Sequence, residues 1–123
     1  MERAEGVALA EGWLADWNRR DLDAVVARLS DDVVFSSPLV PVYAGEPSGV
    51  LRGRDAVRAY WAAALDGHPD LHFDLLGVTV GQGTVAVRCR NERGQETVEV
   101  LIVGPGGLVV RGAGTYGEAP LES

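Results

Sequence analysis

The chain has 123 residues, a net charge of -7 and an isoelectric point near 4.7, and 46% of its residues are hydrophobic. This length fits one domain with a buried core, and the negative charge opposes binding to nucleic acid or to an anionic membrane surface. The single cysteine, Cys89, excludes an internal disulfide and is typical of a reducing compartment. The N-terminus resembles no signal peptide and no run of 18 apolar residues occurs, so we expect a cytoplasmic protein without a membrane span.

Two helices and a strand are predicted in the first third of the chain. Apolar residues recur every three or four positions over residues 3–20, which indicates an amphipathic helix. Asp21 suits the N-cap of a second, shorter helix. Residues 30–32, Ser-Asp-Asp, should end that helix, and the β-branched and aromatic residues 33–35 should form a short strand.

The segment 36–52 differs in character because proline and glycine are concentrated in it. It is long for a loop of a compact domain and carries several apolar residues, so we interpret it as the rim of a pocket, with a short strand near Val50. A third helix is then predicted from Gly53 to about Leu65, with Gly67 and Pro69 ending it.

Four strands should follow, because β-prone segments alternate with turn residues. The predicted strands cover residues 71–80, 84–91, 95–103 and 108–116. Helices followed by a run of antiparallel strands indicate an α+β fold in which the helices pack on one face of a sheet.

This arrangement resembles the nuclear transport factor 2-like superfamily, and within it the SnoaL-like branch that includes ketosteroid isomerase-like and polyketide cyclase-like proteins. The resemblance rests on the order and spacing of five segments, at residues 17–23, 31–38, 53–61, 69–73 and 107–109. It implies that residues 1–123 form a single SnoaL-like domain. It also implies a cone, in which a curved mixed or antiparallel sheet wraps around three helices and encloses an apolar pocket, and a homodimer formed through the sheet. The fold alone implies no reaction, because it hosts both enzymes and binding modules.

The positions of the isomerase machinery in the resembled proteins can be compared with this chain. The carboxylate base that precedes the strand-ending proline is replaced by Ser37, which cannot accept a proton without a base of its own. The tyrosine of the first helix is replaced by Trp13, whose indole donates a hydrogen bond but cannot ionise. Glu99 falls near the acidic donor of the penultimate strand. Steroid isomerase chemistry of the usual kind therefore lacks its base here.

Two orientations of Glu99 stay open. If Arg93 and Gly94 form a two-residue turn, Arg88 faces Glu99, and simple alternation places both on the outer face of the sheet, which we favour. One hairpin face would then be wholly apolar and form the core, namely Val85, Val87, Cys89, Val98, Val100 and Ile102. The family register instead places Arg88 and Glu99 in the pocket.

Histidine offers a weaker catalytic candidate. His72 shares one face of a predicted strand with Asp70 and Asp74, either of which could be its catalytic partner, but a solvated strand face is the simpler interpretation. His68 and His72 are separated by Pro69, so they cannot share a helix face as metal ligands. We predict no metal site and no cofactor.

A ligand pocket is predicted where the aromatic faces of the elements meet. In the last strand, glycines at alternate positions leave one face bare, which either makes room for a ligand or marks a bend. The predicted lining is Trp13, Trp17, Phe35, Tyr43, Tyr60, Trp61, Phe73, Arg88, Leu101, Gly112, Gly114 and Tyr116, with Glu99, Ser37 and His72 as catalytic candidates.

Three functions fit these features. We favour a protein that binds a small, largely apolar carbonyl or ring compound, with isomerase-type or cyclase-type chemistry if it is an enzyme. A non-catalytic binding module would use the same pocket. A dimerisation module would instead have its pocket filled by tryptophan side chains.

Overall fold

The fold was obtained as a computed structural model, which describes residues 1–118. Its helices are α1 (Arg3–Asn18), α2 (Leu22–Ala27), α3 (Val40–Tyr43) and α4 (Arg54–Gly67), with a 3₁₀ turn at Pro105–Gly107. Its strands are β1 (Leu29–Ser36), β2 (Val50–Arg52), β3 (Phe73–Gly81), β4 (Thr84–Asn91), β5 (Glu96–Val103) and β6 (Val109–Tyr116). Residues 119–123 of the predicted domain lie outside the described residues. Within residues 1–118, no helix is long and apolar enough to cross a membrane.

The strands form one curved mixed sheet in the order β2-β1-β6-β5-β4-β3. Strands β3 to β6 are an antiparallel meander, as predicted, whereas β1 pairs with β6 in parallel. The helices cover the concave face of this sheet, with α1 against β3 and β4 and α4 against β1 and β2. The predicted α+β cone is therefore confirmed, with a fourth, very short helix, α3, in the segment that was expected to be a loop.

The junction between α1 and α2 depends on polar contacts. The Asp21 side chain accepts a hydrogen bond from the Ala24 N–H at 3.1 Å and so caps α2, as predicted. Arg20 adopts a left-handed backbone conformation with φ 58° and donates from its guanidinium to the carbonyl oxygens of Leu65 and His68. These bonds satisfy free carbonyls at the end of α4 and fix the α1–α2 junction to that helix.

Strand β1 is longer than the sequence indicated. Helix α2 ends at Ala27, so Asp31 and Asp32 are part of the strand and do not end the helix. Both side chains are exposed, and Asp31 is paired with Arg54 at the start of α4. The pairing with β6 shifts register between Leu29 and Val34, which lets these two polar residues project into solvent.

The predicted register of the β4–β5 hairpin is wrong by one residue. Asn91 pairs with Gln95, so the turn has three residues and not two, and its last residue, Gly94, has φ 77°. As a result Glu99 lies opposite Val87, not Arg88. A shift of one residue moves every side chain of one strand to the other face of the sheet.

The corrected register defines the core. Leu101, Thr97 and Glu99 face the helices together with the β4 side chains of Val85, Val87 and Cys89. The outer face of β5 carries Val98, Val100 and Ile102, which were predicted to lie in the core. The largest residue among the fully buried side chains is Trp13 of α1.

Candidate functional site

A carboxyl group lies on the concave face of the sheet, under helix α1. The indole Nε1 of Trp13 donates a hydrogen bond to Oε2 of Glu99 at 2.8 Å. Trp13 is 1% exposed, so its position is fixed by the surrounding core. One carboxylate oxygen is thus held by α1, and Glu99 also lines the cavity described below. Of the two predicted orientations of Glu99, the outward one is wrong.

The surroundings of Glu99 change its acidity. Burial among apolar side chains raises its pKa from 4.5 to about 7, and the hydrogen bond from Trp13 partly opposes that rise. A carboxyl group with a pKa near 7 can both take up and release a proton at neutral pH. Its predicted catalytic role stays a prediction.

The second polar group on this face is a pair of hydroxyls at the end of β1. The Tyr60 hydroxyl of α4 donates to Oγ of Ser37 at 3.1 Å, and the N–H of Leu39 donates to the same oxygen at 3.2 Å. Ser37 is 5% exposed and Tyr60 is 4% exposed. Burial raises the pKa of Tyr60, so its hydroxyl keeps its proton at neutral pH. Within residues 1–118, no histidine or carboxylate contacts Ser37, so the serine has no base to activate it as a nucleophile.

A cavity lies between these two groups. The centres of water-sized molecules can occupy about 60 Å³ inside it, and the atom-free space is about 620 Å³ when the open solvent at its mouth is included. Its lining includes nine of the predicted site residues, namely Trp17, Phe35, Ser37, Tyr60, Trp61, Phe73, Glu99, Gly114 and Tyr116. Most of the wall is apolar, and its polar residues include the two groups described above and the buried Asn91.

Edge-to-face aromatic contacts form the helical wall of the cavity. Trp61 of α4 packs against Trp13, Trp17 and Phe35 with ring centroids 5.0–5.7 Å apart. These rings pack together without closing the cavity, which counts against the interpretation of a pocket filled by tryptophan. Trp17 Nε1 is buried and has no hydrogen-bond partner among residues 1–118. A buried donor without a partner is costly, so it marks a place where a water molecule or ligand oxygen would be stabilised.

The two alternate glycines of β6 differ in surroundings. A Cβ atom on Gly112 would lie 2.9 Å from Cδ2 of Phe35, so Gly112 is covered by that ring. A Cβ atom on Gly114 would lie 3.6 Å from Oγ of Ser37, an ordinary contact distance. Gly114 therefore lies open in the floor of the cavity between Glu99, its partner in β5, and Ser37.

Several predicted site residues lie elsewhere. Arg88 is on the outer face, as the favoured alternative predicted, but its Nε donates to Glu96 at 2.9 Å and not to Glu99, because the register is shifted. His72 contacts Asp74 at 3.1 Å, but both side chains are exposed and neither lines the cavity. Leu101 and Gly112 are buried beneath Phe35 and have no cavity surface.

Two further predictions are modified. Trp13 reaches the main cavity only through Glu99 and lines a smaller space on the other side of that carboxyl. Tyr43 of α3 does not line the cavity, but its hydroxyl lies 2.7 Å from Nε2 of His68, which does. Leu39 lines the cavity as well, so the predicted rim segment 36–52 contributes two lining residues, Ser37 and Leu39.

Sequence reasoning missed the residues at the cavity mouth. They are Leu39, Ala64, His68, Leu71, Asn91, Glu92 and Arg93. Those of the β4–β5 turn were missed because the predicted turn was too short. His68 could have been found from its place directly after α4, a helix whose inward stripe was already identified.

Neither the cysteine nor a metal site adds a catalytic group to the cavity among residues 1–118. Cys89 is 3% exposed, and burial raises the pKa of its thiol to about 12, so it is an apolar core residue at neutral pH. No cluster of three histidine, cysteine or acidic side chains suited to a metal ion occurs among residues 1–118. The chemistry that the cavity can carry out with its own groups is therefore proton transfer and hydrogen bonding.

The curved sheet with helices on its concave face defines a class of small, cone-shaped α+β domains. Residues 10–116 match the model of the SnoaL-like domain, and the chain belongs to that family. No curated protein matches the chain in sequence.

Solved structures agree with this assignment. A SnoaL-like protein of unknown function from Burkholderia thailandensis E264 is similar at 38% identity, with a TM-score of 0.89 over 95% of this chain and 98% of that one. A candidate isomerase of the SnoaL-like family from Agrobacterium tumefaciens shares 18% identity, with a TM-score of 0.74 over 94% and 99% of the two chains. AclR, a candidate hydroxylase from Streptomyces galilaeus, shares 23% identity, with a TM-score of 0.73 over 94% and 91%. The last two show a shared fold only.

Proposed function

We propose that this chain binds a small, largely apolar carbonyl or ring compound in the cavity and moves a proton on it with the carboxyl group of Glu99. The observation that carries the proposal is the Glu99 carboxyl itself, which is held by Trp13 at 2.8 Å inside a largely apolar cavity. A cavity of apolar walls with few polar groups suits such a ligand. The variety of family members, which include candidate isomerases and hydroxylases, leaves the reaction to be set by the site.

The proposed step is an enolisation. Ionised Glu99 takes a proton from a carbon atom next to the carbonyl, so that the C–H electron pair forms a C=C bond and the carbonyl oxygen gains the negative charge. The resulting neutral carboxyl then returns the proton to the same carbon or to another one, which gives exchange or isomerisation. A pKa of about 7 suits both halves of this cycle at neutral pH.

Deuterium exchange would test this step directly. The probe is 1-indanone, a rigid bicyclic ketone, and the readout is the loss of its α-proton signals by NMR in D₂O. We expect exchange faster than in buffer alone, with a rate that increases as the pH rises through about 7 because the base must be ionised. Glu99→Gln should reduce the rate to that of buffer.

The matched control is Glu96→Gln. Glu96 begins the same strand but is exposed on the outer face, where it pairs with Arg88, so its variant should exchange as fast as the wild type. Equal exchange in the Glu99→Gln and wild-type proteins would overturn the assignment of Glu99 as the base.

A non-catalytic binding module is the second candidate. It is favoured by the state of Ser37, which stands where the resembled isomerases have their base and is instead held by Tyr60 and Leu39. If 1-indanone raises the melting temperature of the protein but exchanges no faster than in buffer, this second function is the correct one.

We also propose that the chain forms a homodimer through the outer face of the sheet. The supporting observation is that β5 presents Val98, Val100 and Ile102 there, with Ile102 38% exposed. An apolar stripe on an outer sheet face is typical of an interface. Ile102→Glu should halve the mass measured by sedimentation equilibrium, and an unchanged mass would contradict this arrangement.

A further inference from the structure

The hydroxyl pair of Ser37 and Tyr60 has one proton to spare. The pair has two O–H groups, and one of them is used in the bond between them. The N–H of Leu39 takes another acceptor position on Ser37. Whichever hydroxyl donates to the other, one O–H remains, and it forms no hydrogen bond within residues 1–118, although the Tyr116 hydroxyl lies near Ser37. A hydroxyl that is fixed and buried in this way is prepared to donate to a group that enters the cavity.

The spare proton lies at a defined place relative to Glu99. Gly114 is the register partner of Glu99, and a Cβ atom on it would be 3.6 Å from Oγ of Ser37. Glu99 and Ser37 therefore lie on either side of β6, and two strand spacings of about 4.8 Å separate their backbones by roughly 10 Å. The absent side chain of Gly114 leaves the space between them open.

Nearby donors strengthen the polarity of this end of the cavity. The hydroxyl of Tyr116 lies close enough to Ser37 for the two groups to interact, and burial keeps it protonated by raising its pKa. Trp17, whose buried indole N–H has no partner among residues 1–118, also lines the cavity, but it borders the space next to Glu99 and not the Ser37 end. A ligand atom at the Ser37 end meets donors, whereas one at the other end meets a carboxyl group.

We propose that the Ser37–Tyr60 hydroxyl pair binds the carbonyl oxygen of a cyclic ketone whose ring lies over Gly114 and whose acidic C–H faces Glu99. This inference rests on the proposed function and deepens it, because it assigns the ligand a carbonyl oxygen at one end and a carbon acid at the other. A hydrogen bond at this place also stabilises the negative charge that the oxygen gains on enolisation.

Binding of two matched probes tests the inference without any turnover. 1-Indanone and indane have the same ring system and differ by the carbonyl oxygen. We expect the wild type to bind 1-indanone about 3- to 10-fold more tightly than indane, which is the effect of one hydrogen bond. Either Ser37→Ala or Tyr60→Phe leaves one hydroxyl in place, so each single variant should keep part of this preference.

The double variant Ser37→Ala/Tyr60→Phe removes both hydroxyls and should lose most of the preference for 1-indanone, with only a small difference left from the nearby Tyr116 hydroxyl. The matched control is Ser36→Ala, because Ser36 is the neighbouring serine on the opposite side of β1 and does not line the cavity. A preference for 1-indanone that is undiminished in the double variant, or a wild type that binds neither probe, would overturn the proposal.

Infrared spectroscopy of the wild type gives a test that needs no variant to fold. At pH 8.5, above the pKa of Glu99 of about 7, that carboxyl is ionised and cannot donate. A hydrogen bond from the hydroxyl pair should then lower the carbonyl stretch of bound 1-indanone relative to its value in hexane. A stretch equal to that in hexane would overturn the proposal.

The two proposals fail separately. Binding preference and a lowered stretch without exchange would support the hydroxyl pair and remove Glu99 as a base. Exchange that depends on Glu99, with no preference for 1-indanone over indane, would support Glu99 as a base and remove the hydroxyl pair as the binding site of the carbonyl oxygen.

Discussion

The indole N–H of Trp13 and the carboxyl group of Glu99 are joined by a hydrogen bond of 2.8 Å that connects α1 to β5. This bond favours the ionised carboxyl and so limits the rise of its pKa that burial causes. The orientation of the Glu99 carboxyl group thus depends on one donor on a different element, and that donor also limits the effect of burial on its pKa.

Removing that donor should raise the pKa of Glu99. We expect Trp13→Phe to shift it above the wild-type value of about 7, measured by ¹³C NMR titration of the side-chain carboxyl. The matched control is Trp17→Phe, which removes an indole from the same helix that makes no hydrogen bond within residues 1–118. A Trp13→Phe titration that coincides with the wild type would show that burial alone sets the acidity.

Stability should depend on pH through Glu99. Folding raises its pKa from 4.5 to about 7, so the folded state keeps a proton that the unfolded chain has lost. The contribution of Glu99 to the free energy of unfolding is therefore greatest below pH 4.5 and decreases as the pH rises to about 7, by up to about 3 kcal/mol.

Urea unfolding at a series of pH values measures this effect. Glu99→Gln keeps an acceptor for Trp13 but cannot ionise, so its stability should exceed that of the wild type by a margin that grows from pH 5 to pH 8. Glu96→Gln, on the outer face, should follow the wild type. A constant difference between Glu99→Gln and the wild type would contradict the acidity assigned to Glu99.

The two glycines of β6 should respond differently to alanine. Gly112→Ala places a methyl group 2.9 Å from the Phe35 ring, and such overpacking should cost about 1–3 kcal/mol of unfolding free energy. Gly114→Ala meets only ordinary contacts and should fold within about 0.5 kcal/mol of the wild type. It should still weaken binding of 1-indanone, because the methyl group occupies the floor of the cavity. Equal stability of the two variants would contradict the packing described.

Asp16 is the buried charge of the helical layer. It is 5% exposed and accepts hydrogen bonds of 2.7 Å from Arg19 and from Arg28. We expect Asp16→Asn to lower the free energy of unfolding by about 2 kcal/mol, since it weakens two charge-assisted bonds. Asp23→Asn breaks an exposed pair with Arg58 and should cost less than about 1 kcal/mol. Chemical denaturation of both variants would test the difference, and similar losses would contradict it.

Most of the fold could be predicted from residue patterns, and the reasons are local. Helix α1, the cap at Asp21 and strand β4 were found because their spacing of apolar residues and their turn chemistry agree with the structure they adopt. The start of β1 was missed because Asp31 and Asp32 are poor strand residues, and only a contact with Arg54, distant in sequence, accounts for one of them.

The orientation of Glu99 could not be derived from alternation. Strand β5 is more apolar on its outer face, at Val98, Val100 and Ile102, than on the inner face that carries Glu99. Counting apolar residues therefore selects the wrong face. The deciding feature is the length of the preceding turn, which depends on the left-handed conformation of Gly94.

The parallel pairing of β1 with β6 determines at which stage of folding the cavity can form. Ser37 follows β1 and Gly114 belongs to β6, so the floor of the cavity joins two segments from opposite ends of the chain. Contacts between segments so far apart close a long loop and are expected late in folding. During synthesis the helices and the first strands are complete before β6 is made. A growing chain thus has no finished cavity, and we expect it to gain affinity for a ligand only when its last strand adds to the sheet.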